Sequence, residues 1–124
     1  MSQLFLAIAA LSGFFAVALG AFAAHGLKGK LAPNLLAAFE TATQYQMYHA
    51  LALLAVALLV KAHPSGWLNA SGWLFIAGSV LFSGSLYGLA LSGIRLFGPI
   101  TPIGGVCFLL GWLCLLIASL KFIK

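Results

Sequence analysis

Residues 39–50, FETATQYQMYHA, hold most of the groups in this chain that could do chemistry. Glu40 is the sole acidic residue, and Thr41, Gln44, Tyr45, Tyr48 and His49 follow within nine positions. On a helix turning about 100° per residue, with Glu40 at zero, Gln44 falls near 40°, Tyr48 near 80°, Thr41 near 100°, Tyr45 near 140° and His49 near 180°. These polar groups therefore cover one half of the helix. Phe39, Ala42, Thr43, Gln46 and Met47 cover the other half, which leaves Gln46 on the greasier side. A carboxylate, an imidazole, an amide and two phenols on one face could bind a solute or an ion, relay a proton, or hydrogen-bond to neighbouring helices.

Other chemistry is excluded or unsupported. The chain has no Asp, no nucleophile elbow, no phosphate-binding glycine loop and no HExxH. A single carboxylate cannot run a two-carboxylate mechanism. Nothing argues for an enzyme. His25, Glu40 and His49 are metal-ligand types, but their spacing matches no metal motif, and Glu40 and His49 lie on opposite sides of one helix. No cofactor is predicted. Cys107 and Cys114 are seven apart, which on a helix separates them by roughly 10 Å, too far for a disulfide. They read as small packing residues. His63, beside Pro64, reads as a surface histidine.

The elements that must carry these groups are membrane helices. The chain is 64% hydrophobic and 6% charged, against roughly 25% charged in a soluble domain. Lipid must therefore be its main solvent. Four apolar runs are long enough to span a bilayer, at 4–24, 35–60, 67–92 and 102–120. They make residues 1–124 one membrane domain, an all-α antiparallel bundle of four transmembrane helices. Pro33 suits the first turn of the second helix, and Thr101-Pro102 reads as cap and first position of the fourth. ALGAFAAHG resembles a signal cleavage site. However, no Lys or Arg precedes the run, and the run exceeds a signal core, so the segment reads as a span.

The net charge of +5 comes from residues scattered at span ends: Lys28, Lys30, Lys61, Arg95, Lys121 and Lys124. That pattern fits anchoring at a bilayer surface and not a nucleic-acid groove. Three basic residues fall on each side, so charge barely orients the chain. The paired C-terminal lysines favour both termini in the cytoplasm.

Depth sets the expected site. Glu40 should lie at the membrane edge, with His49 roughly 13 Å deeper, near the middle. A charge there costs about 2.5–3.5 kcal/mol, so desolvation favours neutral imidazole. Arg95 closes the third span on the side where Glu40 opens the second, and His25 ends the first span there too. A Glu40–Arg95 pair is expected, with His25 and Gln44 beside it and Tyr45, Tyr48 and His49 carrying the cluster inward. For close helix packing the small residues are Gly13 and Gly20 in the first span, the Gly84/Gly88 GxxxG in the third, and Gly104 and Gly105 in the fourth.

The stretches GAFAAHGLKGKL, AAFETATQYQMYHALALL and LFSGSLYGLALSGIRLFGPITPIGGVCFLLGW resemble a family of small four-span membrane proteins. It is known as domain of unknown function 423 or uncharacterised protein family 0382, with eukaryotic relatives called transmembrane protein 256. The resemblance covers essentially the whole chain. It implies a multipass protein of the bacterial inner membrane and no particular activity. It also implies that Ser83, Ser85 and Tyr87 face the Gln, Tyr and His groups of the second helix. The role expected is a non-catalytic accessory, scaffold or assembly component, with a homo-oligomer or larger membrane complex as its setting. The alternative is a small-solute, ion or proton pathway lined by Glu40, Gln44, His49 and Arg95.

Overall fold

A computed structural model describes residues 1–122. Helix α1 runs Ser2–His25 and α2 runs Pro33–Ala62. The third span is α3, Gly66–Gly78, continued by a π-helical turn at Ser79–Ser83 and then by α4, Gly84–Ser92. A short 3₁₀ turn at Arg95–Phe97 leads into α5, Ile100–Phe122. Four of these helical stretches are long and apolar enough to cross a membrane, and they form an antiparallel bundle.

The ends follow local chemistry. Pro33 occupies the first turn of α2, where its missing N–H costs nothing. Ser65 caps α3 by accepting from the Trp67 backbone N–H at 3.2 Å. Gly93 ends α4 in the left-handed region at φ 71°, a conformation that other residues resist. α5 begins earlier than Thr101-Pro102 suggests. Ile100 is already helical, and Thr101 spends its hydroxyl on Ser85 of α4 at 2.6 Å instead of capping.

α1 packs chiefly along α2, and α5 packs chiefly along α3 and the π turn. The α1–α2 seam has a regular spacing. On α1 the inward positions are Phe5, Ala9, Ser12, Ala16, Leu19 and Ala23, alternating by four and three. On α2 they are Phe39, Thr43, Gln46, Ala50, Leu53, Ala57 and Val60, in the same alternation. That 3.5-residue period is the signature of left-handed coiled packing, and the alanines let the two backbones approach closely. Ser12, Thr43 and Gln46 are the polar exceptions inside it.

Elsewhere, phenylalanines fill notches left by glycine. A Cβ at Gly72 of α3 would collide with the Phe5 ring of α1, and between α3 and α5 one at Gly78 would collide with Phe108. A Cβ at Gly111 would lie 2.7 Å from Phe75. Gly104 meets backbone: its missing Cβ is what lets α5 lie against Phe82 in the π turn. The main core joins Phe5, Leu53, Val56, Leu68, Phe75 and Phe108, and a smaller one gathers Ala23, Leu27, Phe39 and Ala90.

Among the glycines singled out from the sequence, Gly104 makes this close approach and Gly88 lies under the Phe97 ring, 2.9 Å from a built Cβ. Gly13 and Gly20 sit at ordinary distance, 3.9 Å, from Ala50 and Thr43, and Gly105 is 3.8 Å from the Phe82 ring. Gly84 has open space beside it. The GxxxG is thus not one continuous contact surface.

Candidate functional site: polar groups within the helix bundle

α2 carries the polar groups and turns most of them outward. Glu40, Gln44, Tyr45 and Tyr48 are exposed on the outside of the bundle, Tyr48 to 55%. The opposite, greasier half of the same stretch is the α1 seam. The reason is the area to be buried: Phe39, Ala42, Thr43 and Ala50 close tightly against α1 and α4, and a face rich in glutamine and tyrosine does not. His49, at the border of the two halves, goes in, with 5% of its surface accessible.

Two polar nodes form at depth. In the first, Gln46 Nε2 donates to the backbone carbonyl of Ser12 at 2.9 Å, and Tyr87 Oη donates to Gln46 Oε1 at 2.5 Å. One amide thereby joins α1, α2 and α4. In the second, the His49 ring lies flat on Phe108, with centroids 3.5 Å apart and planes 7° from parallel. Its Nδ1 is 2.8 Å from the Tyr45 carbonyl, and Trp112 Nε1 is 3.1 Å from its Nε2.

These partners define the histidine's state. A carbonyl only accepts, so Nδ1 must carry a proton, and an indole N–H only donates, so Nε2 must offer its lone pair. The ring is therefore the neutral Nδ1–H tautomer with both nitrogens engaged. That lone pair, the one a metal would need, is occupied by Trp112.

Serines add single ties. Ser83 donates to the Ala42 carbonyl at 2.8 Å, Ser71 to the Gly111 carbonyl at 2.8 Å, and Ser2 to the Ala57 carbonyl at 3.0 Å. Ser85 donates within its own turn to Phe82 and pairs with Thr101. Each links a hydroxyl to a group that has no water to turn to in hydrocarbon.

The expected rim cluster is not drawn together. His25, Glu40, Gln44 and Arg95 are all exposed, and no hydrogen bond or ion pair among the described residues joins them. Arg95 stands beyond the end of α4, in the 3₁₀ turn after Gly93, so the helix no longer aims it at α2. Lys124, the last of the basic residues read from the sequence, lies outside the described residues. Among the described residues, no three of His, Cys, Asp or Glu come close enough to share a metal.

The model of the family described as "Protein of unknown function (DUF423)" matches residues 19–105. The chain belongs to this family. It is similar to a UPF0382 membrane protein of Staphylococcus epidermidis, 52% identical over 97% of this chain and 98% of that one. It is also similar to a UPF0382 membrane protein of Staphylococcus saprophyticus, 50% identical over 96% and 98%, and to the UPF0382 membrane protein YwdK of Bacillus subtilis, 45% identical over 98% and 99%. No solved structure matches. The chain is a DUF423 membrane protein, and the bilayer is its surroundings.

In this DUF423 protein the deep nodes hold one residue that charge picks out, His49, among others that it does not. Gln46, Trp112 and Phe108 escape a search for ionisable clusters. The signal that marks Gln46 is the heptad alternation of α2, where it is the one amide in a row of Phe, Ala, Leu and Val. Tyr87 does meet a glutamine of α2, as the family resemblance implies, but that glutamine is Gln46 and not Gln44. Ser83 meets a backbone carbonyl of α2 rather than one of its side chains.

Proposed function

We propose that the protein is a non-catalytic membrane component, an accessory or scaffold subunit, whose deep polar groups bind its own helices together. The carrying observation is that Gln46 and His49, polar groups at depth on α2, each make a side-chain hydrogen bond to another helix: Gln46 to α1 and α4, His49 to α5. A conducting pathway needs polar groups free to exchange partners with a solute or with water. Of the ionisable groups that could extend such a pathway from His49, His25, Glu40 and Arg95 are exposed and not joined to one another among the described residues.

The outward stripe Glu40, Gln44 and Tyr48 supports a partner in the membrane. These residues recur every four positions and share a face, and Gln44 makes no hydrogen bond among the described residues. An amide facing lipid tails is costly to leave unpaired. Covering the stripe with a helix of another membrane protein or a second copy removes that cost. We place both termini in the cytoplasm, which a fluorescent reporter fused at the C-terminus checks, since it folds only on that side.

The test is flux. Purified protein in liposomes containing a pH-sensitive dye is expected to leave the proton leak equal to that of empty liposomes. A leak that depends on the protein and disappears in His49→Leu would establish the second reading, a proton or ion pathway. One observation favours that reading: His49 lines both a cleft of about 270 Å³ toward α1 and a groove of about 610 Å³ between α2 and α5.

A further inference from the structure

The cleft of about 270 Å³ between α1, α2 and the α3–α4 span has a polar floor that the helix contacts leave unfinished. Ser12, Gln46, Ser79 and Tyr87 line it among aliphatic side chains. Gln46 uses one amide N–H on Ser12 and has a second. The hydroxyls of Ser12 and Ser79 make no hydrogen bond among the described residues. Tyr87 donates its proton to Gln46 and keeps oxygen lone pairs free. Three donors and one acceptor therefore face a space enclosed by hydrocarbon.

Depth narrows what could satisfy them. Ser12 is roughly 15 Å from the start of α1 and roughly 20 Å from its end, which places it near mid-membrane. The ester carbonyls of phospholipids stay at the interface, about half a bilayer core away. An acyl chain would fill the volume and leave the donors unpaired. A charged ligand would pay for desolvation with nothing to neutralise it, since the only basic group lining the cleft is His49, whose two nitrogens are engaged. What remains is a neutral molecule that dissolves in the membrane and carries carbonyl oxygens into its middle.

We propose that this cleft binds a neutral, lipid-soluble carbonyl compound, a quinone-type ring, with its carbonyl oxygens on Ser12, Ser79 and Gln46 and its apolar tail leaving between α1 and α4 toward the lipid. Leu11, Phe15, Val80 and Gly84 form the exposed lip through which it enters. This goes beyond the scaffold role and does not depend on it. A scaffold that conducts nothing can still hold such a ligand, and flux measurements are silent on it.

Gly84 supplies a clean block. It lines the cleft, is helical, and a Cβ there would meet nothing within 4 Å. Gly84→Leu should crowd the site from a position where the first added carbon meets no neighbour. The experiment is titration of the detergent-solubilised full chain with a decyl-substituted benzoquinone, read by calorimetry and by intact-complex mass spectrometry. The wild type should bind one quinone. Gly84→Leu should weaken binding at least about tenfold, and Ser79→Ala, which removes a hydroxyl with no protein partner, about fivefold. Decylbenzene, with the same tail and no carbonyl, should fail to displace the quinone. Equal binding by wild type and both variants would overturn the proposal, as would displacement by decylbenzene or the absence of any bound quinone. If Gly84→Leu melts below the wild type, Ser79→Ala and the decylbenzene competition still decide.

Discussion

His49 shows how much one side chain's neighbours can say about its state. Stacked on Phe108 and held at both nitrogens, it has no free edge for a proton to arrive at or leave from. Trp112→Phe removes the indole N–H and strands Nε2 in an apolar pocket. It should cost about 0.5–2 kcal/mol of stability, read by steric trapping in bicelles. Nitrogen NMR of the wild-type imidazole should show the Nδ1–H tautomer at neutral pH. A dominant Nε2–H form would mean that the Trp112 contact does not exist in the membrane. Glu40 behaves in the opposite way. Exposed at the rim and without a bonded partner among the described residues, it should tolerate Glu40→Gln with a change within about 0.5 kcal/mol. A loss of several kcal/mol would restore the pairing with Arg95 that depth alone suggests.

Between helices, glycine matters where it meets backbone and little where it meets nothing. Gly104 lies against the main chain of Phe82, which cannot swing aside as a ring can. Gly104→Val should therefore separate α5 from the π turn and leave little folded protein in detergent. Gly84→Ala should be neutral or stabilising by up to about 1 kcal/mol, because alanine is the better helix former and the space is open. Equal effects from the two would mean that the α5–π contact is not close. The π turn itself brings Ser83 to the Ala42 carbonyl and Phe82 to Gly104. Four apolar runs were legible because hydrocarbon thickness sets their length, and Pro33 and Gly93 mark helix ends by their own backbone limits. The π turn was not legible, since SVLFS carries no propensity for one, and the turn lies where Phe82 meets Gly104 of α5. The orientation of α2 was misread for a related reason. Polarity marks which half of a helix differs, and in a membrane the differing half can face a partner, lipid or the bundle. The four-three alternation of Phe39, Thr43, Gln46, Ala50, Leu53, Ala57 and Val60 carries the direction.

For the whole molecule, the bundle is built from two unlike halves. α1 and α2 close along an alanine-rich seam, whereas α3 and α5 close by phenylalanine rings set into glycine notches. The polar ties bridge the halves: Tyr87 to Gln46, Ser83 to the Ala42 carbonyl, and Trp112 to His49. The outward stripe of Glu40, Gln44 and Tyr48 should be where a neighbour sits. In a variant lacking Cys107 and Cys114, Gln44→Cys should crosslink to a second chain or to another membrane protein in native membranes. A cysteine at Leu110, exposed on α5 and outside the groove that Tyr48 lines, should not. Equal crosslinking at both positions would remove the stripe as an interface.

Deep polar groups act as joints between the helices, and the joint at Gln46 is the place to measure this. A double-mutant cycle of Gln46→Leu and Tyr87→Phe, followed by steric trapping in bicelles, isolates the one bond that ties α2 to α4 at mid-membrane. The expected coupling is about 0.6–1.7 kcal/mol, within the range for hydrogen bonds between membrane helices. A coupling near zero, with both single variants as stable as the wild type, would contradict it and leave these groups free for a solute or a proton.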